Sequence, residues 1–146
     1  DLANIACRSA DVARHLGLEP RVAFVSFSTF GYPRSERAEK MQLAPKVLEQ
    51  RGVDFEFEGE MTVDVALNAK AAAAYPFQRL TGPANILVVP ARHSASISVK
   101  LMQEMAGATV IGPILSGIDK SIQICSSNST ATDILNMAVL ASCKVG

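Results

Sequence analysis

The stretch Gly82–Pro113, GPANILVVPARHSASISVKLMQEMAGATVIGP, packs an apolar run, a polar loop, a helical pattern and a second apolar run into one unit. That order marks an open parallel α/β sheet. Ala84–Val89 is apolar but for Asn85, close to what a strand covered on both faces requires, and Pro90 ends its ladder by removing a backbone donor. Ser94 and Ser96 are candidate N-caps for a helix in which Ile97, Leu101 and Met105 recur at helical spacing, and Gly107 supplies a left-handed exit. Thr109, Val110 and Ile111 then restart the sheet.

The same alternation extends outward. Leu2, Ile5, Val12 and Leu16 predict an opening helix that stops at Gly17, followed by a strand over Arg21–Phe27. Ser26, Ser28 and Thr29 beside Gly31 sit at the carboxyl end of that strand, where open sheets gather ligand groups. Ordinary turn chemistry accounts for the same residues, so both readings stand. A helix over Ser35–Gln50 contains Pro45, which implies a kink or a late start. Val53–Glu58 alternates Phe55 and Phe57 with Asp54, Glu56 and Glu58, a strand with one wet face near a sheet edge. Thr62 caps a helix through Asn68 that Lys70–Ala74 extends, and Tyr75–Thr81 is a connecting loop. Ile122–Ile124 reads as a short strand, Ser126–Thr130 as a polar loop, and Ile134, Met137, Val139, Leu140 and Ala141 as a last helix over about residues 130–144. The expected fold is a three-layer α/β arrangement: an open, mainly parallel sheet with helices on both faces.

Composition narrows the function. With 146 residues, 49% of them apolar, the chain can bury one core, so a single domain is expected. The 14 basic and 14 acidic side chains cancel, leaving no electrostatic footprint for nucleic acid or a membrane surface. Neither a signal peptide nor a membrane span is visible, which points to a cytoplasmic setting. Cys7, Cys125 and Cys143 lack metal-type spacing and read as buried, reduced thiols. Asp1 already lies within a helical pattern, so the sequence is expected to be a piece of a longer protein.

Motifs for catalysis are sparse. There is no G-x-G-x-x-G, Walker A, H-E-x-x-H or paired-cysteine sequence, so neither dinucleotide nor catalytic metal binding is expected from this chain alone. His15 falls on a helix; His93, beside Arg92 in the loop after the presumed central strand, suits anion contact as well as base catalysis. Lys100 and Lys120 are solvated lysines or anion contacts. The richest hydroxyl cluster is Ser126, Ser127, Asn128, Ser129 and Thr130, followed by Asp133. It can be a ligand loop, or an N-cap in which Thr130 caps and Asp133 meets the helix dipole.

Several words in this order carry a resemblance. SFSTFG at Ser26–Gly31, GPANILVVP at Gly82–Pro90, ATVIGPIL at Ala108–Leu115 and ATDILNMAVLA at Ala131–Ala141 resemble the C-terminal half of the phosphate acetyltransferase and butyryltransferase family. VDFEFEGEM at Val53–Met61, DVALN at Asp64–Asn68, YPF at Tyr75–Phe77 and HSASIS at His93–Ser98 are more similar to the C-terminal region of hybrid, two-part bacterial malic enzymes. In those proteins an NADP-dependent malic enzyme is fused to a phosphotransacetylase-like domain.

The resemblance implies a mechanism and a departure from it. Phosphotransacetylases use a Ser-Arg pair and a later Asp; the matching positions here are Ser126, Ser127 and Asp133, so the arginine is replaced by serine. A guanidinium holds phosphate through a planar set of donors, and a hydroxyl cannot replace it. No catalytic residue is therefore expected, Ser126, Ser127 and Asp133 being vestiges. The family instead implies a regulatory and oligomerisation domain that binds acetyl-CoA as an allosteric inhibitor. Ser28, Lys100, Ser126, Ser127, Asn128 and Thr130 are the candidate contacts. NADP and a divalent metal would belong to the fused malic enzyme part, and the last helix would pack on a partner subdomain outside this sequence. The partners implied are a homo-oligomer, the fused malic enzyme domain and acetyl-CoA. An active phosphate acetyltransferase and a purely structural assembly module are the alternatives.

Overall fold

The computed structural model describes residues 1–118 and 120–143. The chain divides into two compact units, Asp1–Ser94 and Ala95–Gly146.

The first unit is built on a parallel sheet of three strands: β1 (Arg21–Val25), β2 (Glu56–Met61) and β3 (Ile86–Val88), in the order β2-β1-β3. Alternate residues of β1 serve opposite faces, as the pleat dictates. Val22 and Phe24 pack with Ala3 and Ala6 of α1 (Leu2–His15) and with Met41, Ala44 and Leu48 of α2 (Glu39–Arg51). Ala23 and Val25 pack on the other face with Val65 and Ala66 of α3 (Val63–Leu67) and with Met61, Leu80 and Ala84. Both faces of the sheet are thus covered, as its apolar central strand demands.

Several expectations are corrected here. The central strand is β1, which ends at Val25 rather than Phe27; the Ala84–Val89 run supplies β3 at an edge, where Leu87 is exposed. α1 forms, but it turns Ala3, Ala6, Ala10 and Ala13 inward and leaves Ile5 and Leu16 exposed. Alanines let the helix sit close to the sheet, so small residues mark its inner face. α2 starts at Glu39 after a 3-10 turn over Glu36–Ala38 and runs through the buried Pro45. The helix expected from Thr62 to Ala74 is two pieces, because Asn68 is extended and its side chain accepts from the Lys70 N–H to cap α4 (Ala69–Ala72).

The supposedly wet face of β2 is the largest correction. Glu58 is buried against Arg79, which donates to it from the backbone N–H (3.0 Å), Nε (3.1 Å) and Nη2 (3.3 Å), while the Arg79 guanidinium lies 4.9 Å above the Phe57 ring. Glu60 is buried as well. Alternation of acidic and aromatic residues cannot distinguish a solvated carboxylate from one matched to donors elsewhere in the chain.

α5 (Arg92–Ala106) starts in the first unit, and the second unit adds α6 (Ala131–Ser142). α5 begins before Ser94 and Ser96, so neither caps it, and its Ile97, Leu101 and Met105 are exposed. Gly107 does provide the left-handed exit, at φ 62°. Thr109–Ile111 and Ile122–Ile124 are not strands. Position 144, the end of the expected last helix, lies outside the described residues. Cys7 is half-buried while Cys125 and Cys143 are exposed, so only their unpaired state matches the expectation of buried thiols.

Candidate functional site

At the carboxyl end of β1 the chain makes a two-residue turn. The Thr29 N–H donates to the Tyr32 carbonyl (2.8 Å), and the Tyr32 N–H to that of Thr29 (3.1 Å). The two central residues, Phe30 and Gly31, have φ of 48° and 88°, the mirror-image geometry of a tight hairpin. Glycine adopts it freely; phenylalanine does so at a cost of order 1–3 kcal/mol. The Phe30 ring is held against Tyr75 (centroids 5.4 Å apart) and Phe77 (4.9 Å).

Glu60 ties this turn to the rest of the unit. Pairing of β1 with β2 passes from Phe24↔Gly59 to Val25↔Met61, so Glu60 is the extra residue of an irregularity in β2. Its Oε1 accepts from Ser28 Oγ (2.7 Å), the Gly31 N–H (3.0 Å) and Gln42 Nε2 (3.3 Å), and its carbonyl accepts from the Phe30 N–H (2.8 Å). Next to it, Thr29 Oγ1 accepts from the Thr62 N–H at 3.1 Å. Ser28 is fully buried and its hydroxyl points to Glu60, so any part it plays in binding is indirect.

The second hydroxyl cluster lies in the other unit. Ser126, Ser127 and Asn128 are exposed, and Ser126 Oγ donates to Asn128 Oδ1. Thr130 and Asp133 form a capping box at the start of α6. The Asp133 carboxylate accepts from the Thr130 N–H and hydroxyl, both at 2.8 Å, and Thr130 Oγ1 accepts from the Asp133 N–H at 3.2 Å. The Thr130 backbone bond, followed by that of its hydroxyl, holds the Asp133 pKa below the ordinary carboxylate value. Lys100 and Lys120 are exposed.

Other candidates take on ordinary roles or offer little chemistry. His15 Nδ1 is 2.8 Å from the Asp11 carbonyl, one turn back on α1. His93 lies in the first turn of α5 rather than in a loop. A cleft of about 190 Å³ opens beside α3 and α4, where Gln78 pairs with the Leu80 backbone and Thr81 with Glu56. Among the described residues no His, Cys, Asp and Glu group converges to hold a metal ion, and no helix is long and apolar enough to cross a membrane.

Residues 1–142 match the family described as phosphate acetyl/butaryl transferase. The chain belongs to this family. Over its whole length it is 53% identical to an NADP-dependent malic enzyme of Rhizobium meliloti (strain 1021), of which it covers 19%. It is 32% identical, over 99% of its residues, to a phosphate acetyltransferase of Bacillus subtilis (strain 168), of which it covers 45%. Among solved structures, a phosphotransacetylase from Streptococcus pyogenes superposes with a TM-score of 0.90 at 31% identity, covering 99% of this chain and 44% of that one. The chain therefore spans under half of the acetyltransferase relative and about a fifth of the malic enzyme relative, and the α/β fold with its parallel sheet is that of phosphotransacetylases.

Sequence reasoning missed Glu60, Phe30 and Arg79. The signal for Glu60 was present: Gly59 interrupts the Phe-Glu alternation just before it, and a glycine inside a strand pattern marks an irregularity that redirects the next side chain.

Proposed function

We propose that this chain is a ligand-sensing, phosphotransacetylase-like domain of a larger NADP-dependent malic enzyme. It binds acetyl-CoA and lowers malate oxidation without transferring the acetyl group. NADP and a divalent metal serve the malic enzyme part, outside these residues. The observation that carries the reading is the serine at position 127. Ser127 stands where the resemblance places the phosphate-holding arginine, so that position offers a hydroxyl in place of a cation. Asp133 is engaged by both donors of Thr130 as part of the cap of α6, and these bonds hold its pKa below the ordinary carboxylate value. Ser126, Ser127, Asn128 and Thr130 remain as exposed polar groups for a ligand, with Lys100 as a cation on α5. Binding of this kind controls a distant centre when the ligand prefers one conformational or oligomeric state.

The test uses the complete polypeptide in two assays: acetyl phosphate plus coenzyme A, and malate oxidation with and without acetyl-CoA. No acetyl-CoA formed in the first, with inhibition in the second, is the expected result. Turnover in the first assay would overturn the non-catalytic reading in favour of a phosphate acetyltransferase. A second reading, assembly of a homo-oligomer, is favoured by the exposed Ile97, Leu101 and Met105 on α5. Charged substitutions at Leu101 and Met105 that lower the mass in solution while acetyl-CoA inhibition persists would separate assembly from sensing.

A further inference from the structure

We infer that Glu60 is a positioning residue for ligand binding at the carboxyl end of the sheet, acting through the Thr29–Tyr32 turn. This rests on acetyl-CoA being the ligand. Glu60 is 2% exposed and lies far in sequence from the groups it gathers. One side-chain oxygen receives Ser28, Gly31 and Gln42, so a single residue joins β2, the turn after β1, and α2. The Gly31 contact is the informative one, because it fixes the residue next to Phe30, whose backbone is held in the left-handed region. Fixing Phe30 in turn fixes the ring stack with Tyr75 and Phe77. A carboxyl group needed only to satisfy a buried environment has no reason to converge on a strained turn at the sheet end where parallel folds take their ligands.

What the turn presents is aromatic. Tyr32 is 81% exposed and Phe77 is 66% exposed, both beside the clamped segment. Phe77 is braced by the Phe30 and Tyr75 rings, and flat rings that lose little entropy on binding are suited to stack on a heteroaromatic ring such as the adenine of a coenzyme A thioester. Glu60 touches no ligand in this scheme; it keeps the stacking surface from relaxing.

The experiment compares Glu60→Ala, Glu60→Gln and Ser28→Ala with the unaltered complete polypeptide. Three quantities are measured: acetyl-CoA affinity by calorimetry, hydrogen exchange at the Gly31 amide, and the thermal midpoint. In Glu60→Ala the Gly31 amide should exchange faster and affinity should fall about tenfold, the equivalent of about 1.4 kcal/mol. Glu60→Gln retains a carbonyl acceptor and should recover both values. A folded Glu60→Ala protein with fast Gly31 exchange and unchanged affinity overturns the inference, since a purely structural role would raise exchange and lower the midpoint without moving affinity. Should Glu60→Ala fail to fold, Ser28→Ala removes one donor and leaves the acceptor; weakened affinity then supports the inference, and unchanged affinity overturns it. If the unaltered protein does not bind acetyl-CoA, the sensing function falls on that result. Glu60 is then judged separately by whether Gly31 exchange rises in Glu60→Ala, and unchanged exchange ends the positioning role as well.

Discussion

Gly59 occupies a backbone position that no other residue fits. Its φ is 143°, and a Cβ placed there would lie 2.7 Å from the Phe24 carbonyl oxygen and 2.9 Å from the Phe24 Cβ. Phe24 is fully buried in the central strand, so neither neighbour can withdraw without disturbing the sheet. Gly59→Ala combines backbone strain with overpacking and should lower stability by about 2–4 kcal/mol in a urea titration. Arg79 gives the complementary case, a charge that matters for what it leaves behind. Arg79→Ala leaves the Glu58 carboxyl group, which is 6% exposed, with the backbone N–H donors of Gly59 and residue 79 but no counter-charge, and strips the Phe57 ring of its cation. Loss of one partner of a fully buried pair costs about 3–5 kcal/mol. The Arg79 side chain is 45% exposed, so the expected cost of Arg79→Ala is smaller, about 2–3 kcal/mol. Glu58→Gln should recover part of that loss in the double variant, because it removes the unpaired charge.

At the scale of elements, helix α6 shows how local chemistry was legible and tertiary chemistry was not. Thr130 three residues before Asp133 spells a capping box, and the structure contains it. Thr130→Ala should therefore cost about 1 kcal/mol of helix stability, read by circular dichroism. The box also has a pH signature. Because the folded Asp133 pKa lies below its unfolded value, its contribution is fully present above the unfolded carboxylate value and is lost as pH falls through the folded one. Acid titration should fray α6 in that window, and Asp133→Asn should flatten the response there. By contrast, no local signal told which face of α1 was buried, since Ile5 and Leu16 outscore alanine in hydrophobicity. The close fit of Ala3 and Ala6 against β1 decides it, and that fit exists only once the sheet is formed. The same holds for Glu58 and Glu60, whose partners lie 21 residues ahead at Arg79 and 32 residues back at Ser28. Within the candidate site, the sequence displayed the hydroxyls of Ser126–Thr130 and could not display the carboxyl group beneath Ser28.

On the scale of the whole molecule, the two units differ in how they exclude water. The first has two apolar clusters, one on each face of the sheet, built from β1, β2, β3 and three helices. In the second, the buried apolar side chains among the described residues are Met137 and Leu140, while Ile111, Ile122, Ile124, Ile134 and Leu135 stay exposed. Burying a large aliphatic side chain contributes about 1.5–3 kcal/mol, whereas ordering each residue costs about 1–2 kcal/mol of backbone entropy. Two such side chains cannot order a segment of this length, but the clusters of the first unit can support a small domain. Residues 1–94 produced alone should melt cooperatively and keep the circular dichroism of a mixed α/β protein. Residues 95–146 produced alone should show no cooperative transition. A second segment that folded unaided would mean its stability comes from somewhere other than apolar burial; a first segment that did not fold would move the source of order from the sheet to the chain as a whole.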